Sequence, residues 1–349
     1  MTGFPLERSE PYQALSHLTL YGIGAILEEA GHDVRLSWTT RLRSRPLLGG
    51  TALDDEVIGA AVRDHAALHA DSSSWIARDV TLNGRQRGLM SPRLSAFQDG
   101  ETWERVQRAR HEMLDTLTNH RRLLDQRLLA ALGEPAYWSR DPNGVILQDD
   151  GASRWEMQPR NQGSEIVGSR LRKLAAAVAA REPATIVAGL RGSAVRDEIG
   201  GDKPDSRTPT GLAAPGPTDN AIAWCALWGI SQLPIAMRIS AGKRLGTAVT
   251  TGHIGRTRRE WFYLPVWHQA WRPARLRTVL ASAQLRTAAS SGLPLTGHDA
   301  PSQLAIEAAR RWLTARGIAG VVRFPIERFG SDNAPERRAM RGELVTVEA

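Results

Sequence analysis

The chain predicts an α+β fold of mixed helices and short, mainly antiparallel strands. Three observations carry that prediction. Long amphipathic or apolar helical segments are separated by short alternating runs. The strand candidates after Leu245 return by a hairpin rather than by a crossover helix, which calls for antiparallel pairing. No βαβ alternation is regular enough for a doubly wound sheet. With 349 residues, 42% hydrophobic and 23% charged, the chain suits an ordinary globular protein of about two domains. Two subdomains are expected, residues 1–150 and 151–330, followed by a charged tail over 331–349 that frays.

The first organiser is a helix over Tyr12–Ala30, with Leu15, Leu18, Tyr21, Ala25 and Leu27 near helical spacing. Gly22 and Gly24 weaken it, which makes sense where another element approaches closely. Gly31 supplies the C-cap, and Val34, Leu36 and Trp38 alternate with Arg35 and Ser37 as a half-buried strand. Arg41, Arg43 and Arg45 follow at period two, on one face if the strand continues or in a solvated loop if it does not. Asp54–Leu68 reads as a helix and Trp75–Met90 as short strands. Glu101–Leu132 carries the strongest helical pattern and reads as a helix pair.

From Gly133 to Gly163 the chain turns irregular, and the subdomain boundary is placed there. Within it, Arg154, Trp155, Arg160 and Asn161 are of the types that stack on bases or bond to phosphates and base edges. Trp155 equally suits a core anchor. A helix runs from Ser164 to Arg181, with Arg170 and Lys173 on an exposed turn. The longest loop signal follows: Pro204, Pro209, Pro215 and Pro217 with Gly200, Gly201, Gly211 and Gly216 forbid a continuous helix or central strand. In it Arg207, Thr208 and Thr210 are candidate polyanion contacts, or the segment is an irregular surface crossover. Asp219 then caps Asn220–Trp228, apolar almost all round and so buried.

Beyond this helix, Leu245–Thr251 and Trp261–Val266 read as strands joined by Gly252–Arg259. That connection bears Arg256, Arg258 and Arg259, the most concentrated basic feature of the chain and the preferred phosphate contact. Pro301–Arg316 is an amphipathic helix. Val322, Phe324 and Ile326 make a strand, which Pro325 marks as an edge.

The formal charge is +8, with 45 lysines and arginines, and lysine occurs only at 173, 203 and 243. Positive charge favours a polyanionic partner, and the arginine fork suits phosphate, although GC-rich coding produces the same bias. The single cysteine, Cys225, sits in the apolar helix, excludes internal disulfides and thiolate zinc sites, and reads as a small buried hydrophobe. The polar start and the shortness of the longest apolar run predict a soluble, cytoplasmic protein with no membrane partner.

No phosphate loop, nucleophile elbow, H-E-x-x-H pair or dinucleotide fingerprint is present. No catalytic residue, bound metal or cofactor is therefore expected. His32-Asp33 and His298-Asp299 admit a rival reading, a metal-dependent HD-type nuclease or phosphohydrolase, though each dipeptide follows a glycine at an element boundary. His65 and His69, four apart, lack an obvious third ligand and read as surface histidines.

Two segments carry a resemblance. TLYGIGAILEEAGHDVRLSWT and TPTGLAAPGPTDNAIAWCALWGISQLP are similar to segments of the type I-U/I-G CRISPR accessory and reduced large-subunit proteins of the Cascade effector. The resemblance covers about a seventh of the chain and transfers no residue role. It implies a non-catalytic subunit of an RNA-guided antiviral complex, with guide RNA, double-stranded target DNA and other Cascade subunits as partners, and PAM sensing within its reach. A pure protein-interaction subunit is the third reading.

Overall fold

The structure, a computed structural model, describes residues 3–40, 44–82, 84–92, 94, 100–133, 154–155, 166–238, 247–256, 259–295, 300–331 and 334–347. Two helices form its axis, α1 (Ala14–Glu29) and α7 (Asn220–Gly229). Both are apolar on every side and buried almost throughout. They lie so close that a Cβ on Gly22 would fall 1.7 Å from the Cys225 carbonyl oxygen, and one on Gly229 2.1 Å from that of Leu18. Only glycine permits this backbone approach. The α1 helix ends in the left-handed residue Gly31 (φ 85°), where the Gly31 and His32 amides close back on Glu28 and Leu27. Asp219 caps α7 through the Ala221 amide at 2.9 Å.

Around this pair pack α2 (Asp55–Ala70), α3 (Gly100–Asn119), α4 (Leu123–Leu132), α5 (Arg172–Ala179) and α6 (Pro183–Arg191). The boundary expected near residue 150 falls outside the described residues. Elements from either side of it, α1 with α7 and α2 with α5 and α6, share one core.

The strands are antiparallel, as the hairpin signals require. β1 (Phe4–Pro5), β3 (Pro46–Gly50) and β2 (Val34–Trp38) form one small sheet in that order. Two hairpins stand apart from it: β4 (Asp79–Leu82) with β5 (Arg85–Gly88), and β6 (Ile235–Arg238) with β7 (Thr247–Thr250). The main sheet runs β8 (His253–Arg256), β9 (Arg259–Trp267), β10 (Ile318–Ser331), with β11 (Ala334–Ala339) and β12 (Glu343–Thr346) sharing the far edge of β10. Helices α8 (Pro273–Leu280), α9 (Ala283–Ala289) and α10 (Gln303–Thr314) occupy the stretch between β9 and β10. A two-bond bridge between Leu36 and Trp271, at 2.8 and 2.9 Å, ties the small sheet to the chain just after β9.

Three expectations need correction. β10 is not an edge strand: Pro325 lies opposite Trp261 of β9, and its carbonyl accepts from Met340 on the other side. The missing proline N–H therefore points to the gap where the neighbour changes from β12 to β11, so no ladder bond is lost there. In the tail after Gly330, expected to fray, Ala334–Ala339 and Glu343–Thr346 instead pair with β10, and Val345 and Val347 are buried. Residues 247–250 pair with β6 rather than with 261–266; the segment read as a connection forms β8 itself, because His253 and Ile254 are buried, the His253 ring lying 5.1 Å from that of Phe262. The basic stripe at 41 and 43 lies outside the described residues; Arg45 bonds the Ser9 carbonyl at 2.9 Å.

Candidate nucleic-acid interface

The β8–β9 hairpin is held at its root by one buried carboxylate. Glu260 pairs with Arg154 and, at 3.1 Å, with Arg337 of β11; His253 Nδ1 lies 3.4 Å from it. The two arginines also close on the backbone. Arg154 donates to the Gly255 carbonyl at 3.0 Å, and Arg337 to the Arg154 carbonyl at 3.1 Å. Burial disfavours the charge on Glu260, but His253, Arg337 and Arg154 outweigh it and hold the carboxyl well below its usual range. Trp155 stands edge-on to the His253 and Phe262 rings and is a core anchor, not a free stacking platform. Arg154 is likewise spent inside the clamp, which corrects its expected role as a nucleic-acid contact.

Out from this root, Gly255 faces Glu260 and Arg256 faces Arg259 in register. Arg258 is one of the two residues between the paired ends and lies outside the described residues, as do Arg160 and Asn161.

The central loop is organised by a second carboxylate. Asp197, fully buried, accepts from the amides of Gly200 (2.9 Å) and Thr218 (3.3 Å), the hydroxyls of Ser206 and Thr208 (2.6 Å), and the Asn220 amide group (3.0 Å). Burial opposes its ionisation, yet these donors prevail and keep it below the usual carboxylate range. Asn220 also accepts from the Ile199 amide at 3.2 Å, while buried Arg181 joins Asp219 (2.8 Å), Glu198 and the Arg196 carbonyl (2.6 Å). The Asp219-Asn220 pair thus fixes the loop onto the first turn of α7.

This geometry corrects two more of the expected contacts. The Thr208 hydroxyl is turned inward to Asp197, and Thr210, buried, bonds the Pro209 carbonyl at 2.8 Å. Thr210 is also left-handed (φ 53°), an outlier for a β-branched residue and a strain of the kind found at functional loops. Arg207 alone points out, half exposed and 3.4 Å from Glu336 of β11.

Arg170 is half-buried rather than exposed, in a single π-helical turn, Ile166–Leu171, that leads into α5; Lys173 is exposed. Burial, then the neighbouring Arg207, pull its guanidinium below the usual range, with Asp197 opposing. Arg170, Asp197, Glu260 and Arg337 were not singled out as site residues by sequence. Their signal is weak, since each is an isolated charge whose partners come from distant segments.

His65 and His69 are not surface residues. Their rings pack on Trp224 and Trp228, and His69 sits 3.1 Å from the Ser74 hydroxyl and 3.2 Å from Asp125, which also accepts from Trp75 at 2.6 Å. Burial drives both histidines towards the neutral form, His69 down to about 3. Cys225 is buried as expected, its thiol pushed up by burial. Asp33 pairs with Arg35 and lies 3.4 Å from Arg272; His298 and Asp299 lie outside the described residues. Among the described residues no group of three or more metal-type side chains forms, and no helix is long and apolar enough to cross a membrane.

Comparison with protein-family models finds no match to this chain, and comparison with curated proteins finds none either.

Proposed function

We propose that this chain is a non-catalytic subunit of a type I CRISPR RNA-guided effector, contacting the phosphate backbone of guide RNA or target DNA through its basic hairpin. One observation carries the reading: Arg256 and Arg259 are opposed at the end of a hairpin whose root is fixed by the buried Glu260–Arg154–Arg337 clamp. A hairpin end with two opposed arginine positions on a fixed root is a basic feature suited to backbone phosphates. In a guided complex, sequence is read by base pairing, so a subunit of this kind contributes backbone contacts and steadies the displaced strand. The positive balance of the chain and the resemblance of its first helix–strand unit and its loop–α7 segment to Cascade subunits support the same assignment.

The test is affinity purification of the tagged chain from its native host at low salt, with identification of co-purifying chains and RNA. Recovery with a repeated guide-binding subunit and a short RNA is the expected result. Arg256→Ala/Arg258→Ala/Arg259→Ala should then weaken DNA binding and flatten its salt dependence. A protein that emerges alone and binds nucleic acid no tighter than about 10⁻⁴ M at low salt overturns the proposal.

A further inference from the structure

We infer that the outer end of the β10–β11 ribbon, at Phe329 and Arg338, is a stacking platform for an unpaired base of single-stranded nucleic acid. This step rests on the nucleic-acid reading above and names the kind of strand. The ribbon outruns its sheet: β12 pairs with β10 over Gly320–Arg323, and β9 pairs with it as far as Ile326. From Glu327 to Ser331 the strand that β10 pairs with, among the described residues, is β11 alone. Five residues of strand carry it about 16 Å further. Glu327, Arg328, Gly330 and Ser331 are exposed there, and Phe329 and Arg338 are half-buried.

The platform is built from side chains in contact. The Arg338 guanidinium lies over the Phe329 ring, 4.3 Å from its centre. Its Nε also donates to Glu336 at 2.7 Å, and Arg207 of the central loop lies 3.4 Å from the other oxygen of that carboxylate. Glu336 is buried and stands opposite Phe329 in register. Glu336 and Arg338, two apart on β11, therefore share the face that carries Phe329. The plane of the guanidinium is thus set before a ligand arrives, by a ring beneath it and a carboxylate at its edge. Aromatic rings and guanidinium planes are what unpaired bases stack on, since every base has a π-face. In a duplex those faces are already stacked on one another, so this surface suits a single strand.

Charge favours the same occupant. The strand registers bring Arg256, Arg259, Arg328, Arg337 and Arg338 to one end of the main sheet, against Glu260, Glu327 and Glu336. Arg259 precedes Glu260, which faces Ile326, and the ribbon begins one residue later at Glu327. A strand held at the hairpin end therefore meets the ribbon next. Its phosphates would find arginine and its bases the Phe329–Arg338 stack.

The test uses the full chain and a single-stranded oligonucleotide carrying 2-aminopurine, whose fluorescence is quenched on stacking. The same sequence as a duplex and an abasic strand of equal length serve as comparisons, each in a salt series. Phe329→Leu should weaken binding of the base-bearing strand about tenfold and relieve the quench. Its salt slope, and its affinity for the abasic strand and the duplex, should match the parent. Phe329→Trp should retain both affinity and quench. Arg338→Lys keeps the charge and loses the plane, so affinity should fall with the slope unchanged. If Phe329→Leu does not fold, by circular dichroism, the contrast between Phe329→Trp and Arg338→Lys decides. Equal affinity and quench in the parent and Phe329→Leu would overturn the platform and leave the nucleic-acid reading standing. A loss that extends equally to the abasic strand would mark Phe329 as structural and overturn it too, and an equal loss with the duplex would overturn the single-strand assignment. A parent that binds none of these strands sinks the nucleic-acid reading together with the platform.

Discussion

Arg337 reaches Glu260 with one guanidinium nitrogen and the Arg154 carbonyl with another, both at 3.1 Å, so a residue of β11 locks the root of a hairpin between β8 and β9. The Glu260 carboxylate pairs with both of these largely buried arginines. Glu260→Ala should cost about 3–5 kcal/mol, because it removes the carboxylate that pairs with both arginines in a largely desolvated site. Urea unfolding measures this, and a loss near zero would mean that water already screens the clamp.

The seam between α1 and α7 has no room for a methyl group. Gly22→Ala places its Cβ 1.7 Å from a backbone oxygen of the partner helix, which no side-chain rotation relieves. The helices must separate, at a cost of about 1–3 kcal/mol or more. Thermal unfolding of Gly22→Ala beside Gly31→Ala separates packing from backbone strain, since the Gly31 site is open space but left-handed.

Asn220 joins the loop to α7 by donating to Asp197 and accepting from Ile199. Asn220→Asp keeps the size, removes the donor and sets a second carboxylate against Asp197. The expected result is faster proteolytic cleavage between residues 198 and 218, with the helices still folded by circular dichroism. Unchanged cleavage would show that the remaining donors suffice.

Acid should weaken the fold from about pH 6.5 downward, through its buried histidines. Burial pushes His17 and His69 from an ordinary 6.5 down to about 3, and His65 well below its usual range. Asp125 and Arg122 face the His65–His69 pair with opposed effects, and the Pro11 carbonyl bonds His17. The unfolded chain takes up protons below about pH 6.5 and the folded one only near pH 3, so stability is intact above that window and falls through it. Each such histidine contributes a slope of about 1.4 kcal/mol per pH unit. Asp197 and Glu260, held below their usual ranges, add a further loss that begins as pH falls through the ordinary carboxylate range of about 4. Urea midpoints at about pH 7.5, 6 and 4.5 measure the slope; a flat profile would show that the histidines protonate in place.

Much of the fold was legible because it is written in local patterns. Helical spacing marks α1, α2, α3, α4 and α10, the Asp219 cap marks α7, and Gly22 signals a close approach. The errors fall where partners decide. Pro325 reads as an edge residue until β11 and β12 are seen to leave a gap beside it. His65 and His69 look solvated until Trp224 and Trp228 arrive from the far side of the chain. The candidate site divides in the same way: the arginine cluster of the hairpin is local, but whether Thr208 or Arg207 faces out depends on Asp197, and Arg154 is occupied only because Glu260 folds beneath it.

The bridge between Leu36 and Trp271 has a consequence for how the chain reaches this structure. Leu36 receives the Trp267 indole N–H as well, across 231 residues of sequence, and α1 finds its glycine-fitted partner only in α7. Contacts this distant close large loops and slow folding. During synthesis the face of α1 that fits α7 is therefore left uncovered until α7 has left the ribosome, although β2, β3, α2 and α4 can cover its other faces earlier. β2 carries an open edge for longer still. Productive folding of this chain depends on keeping those early elements apart from other copies in the interval.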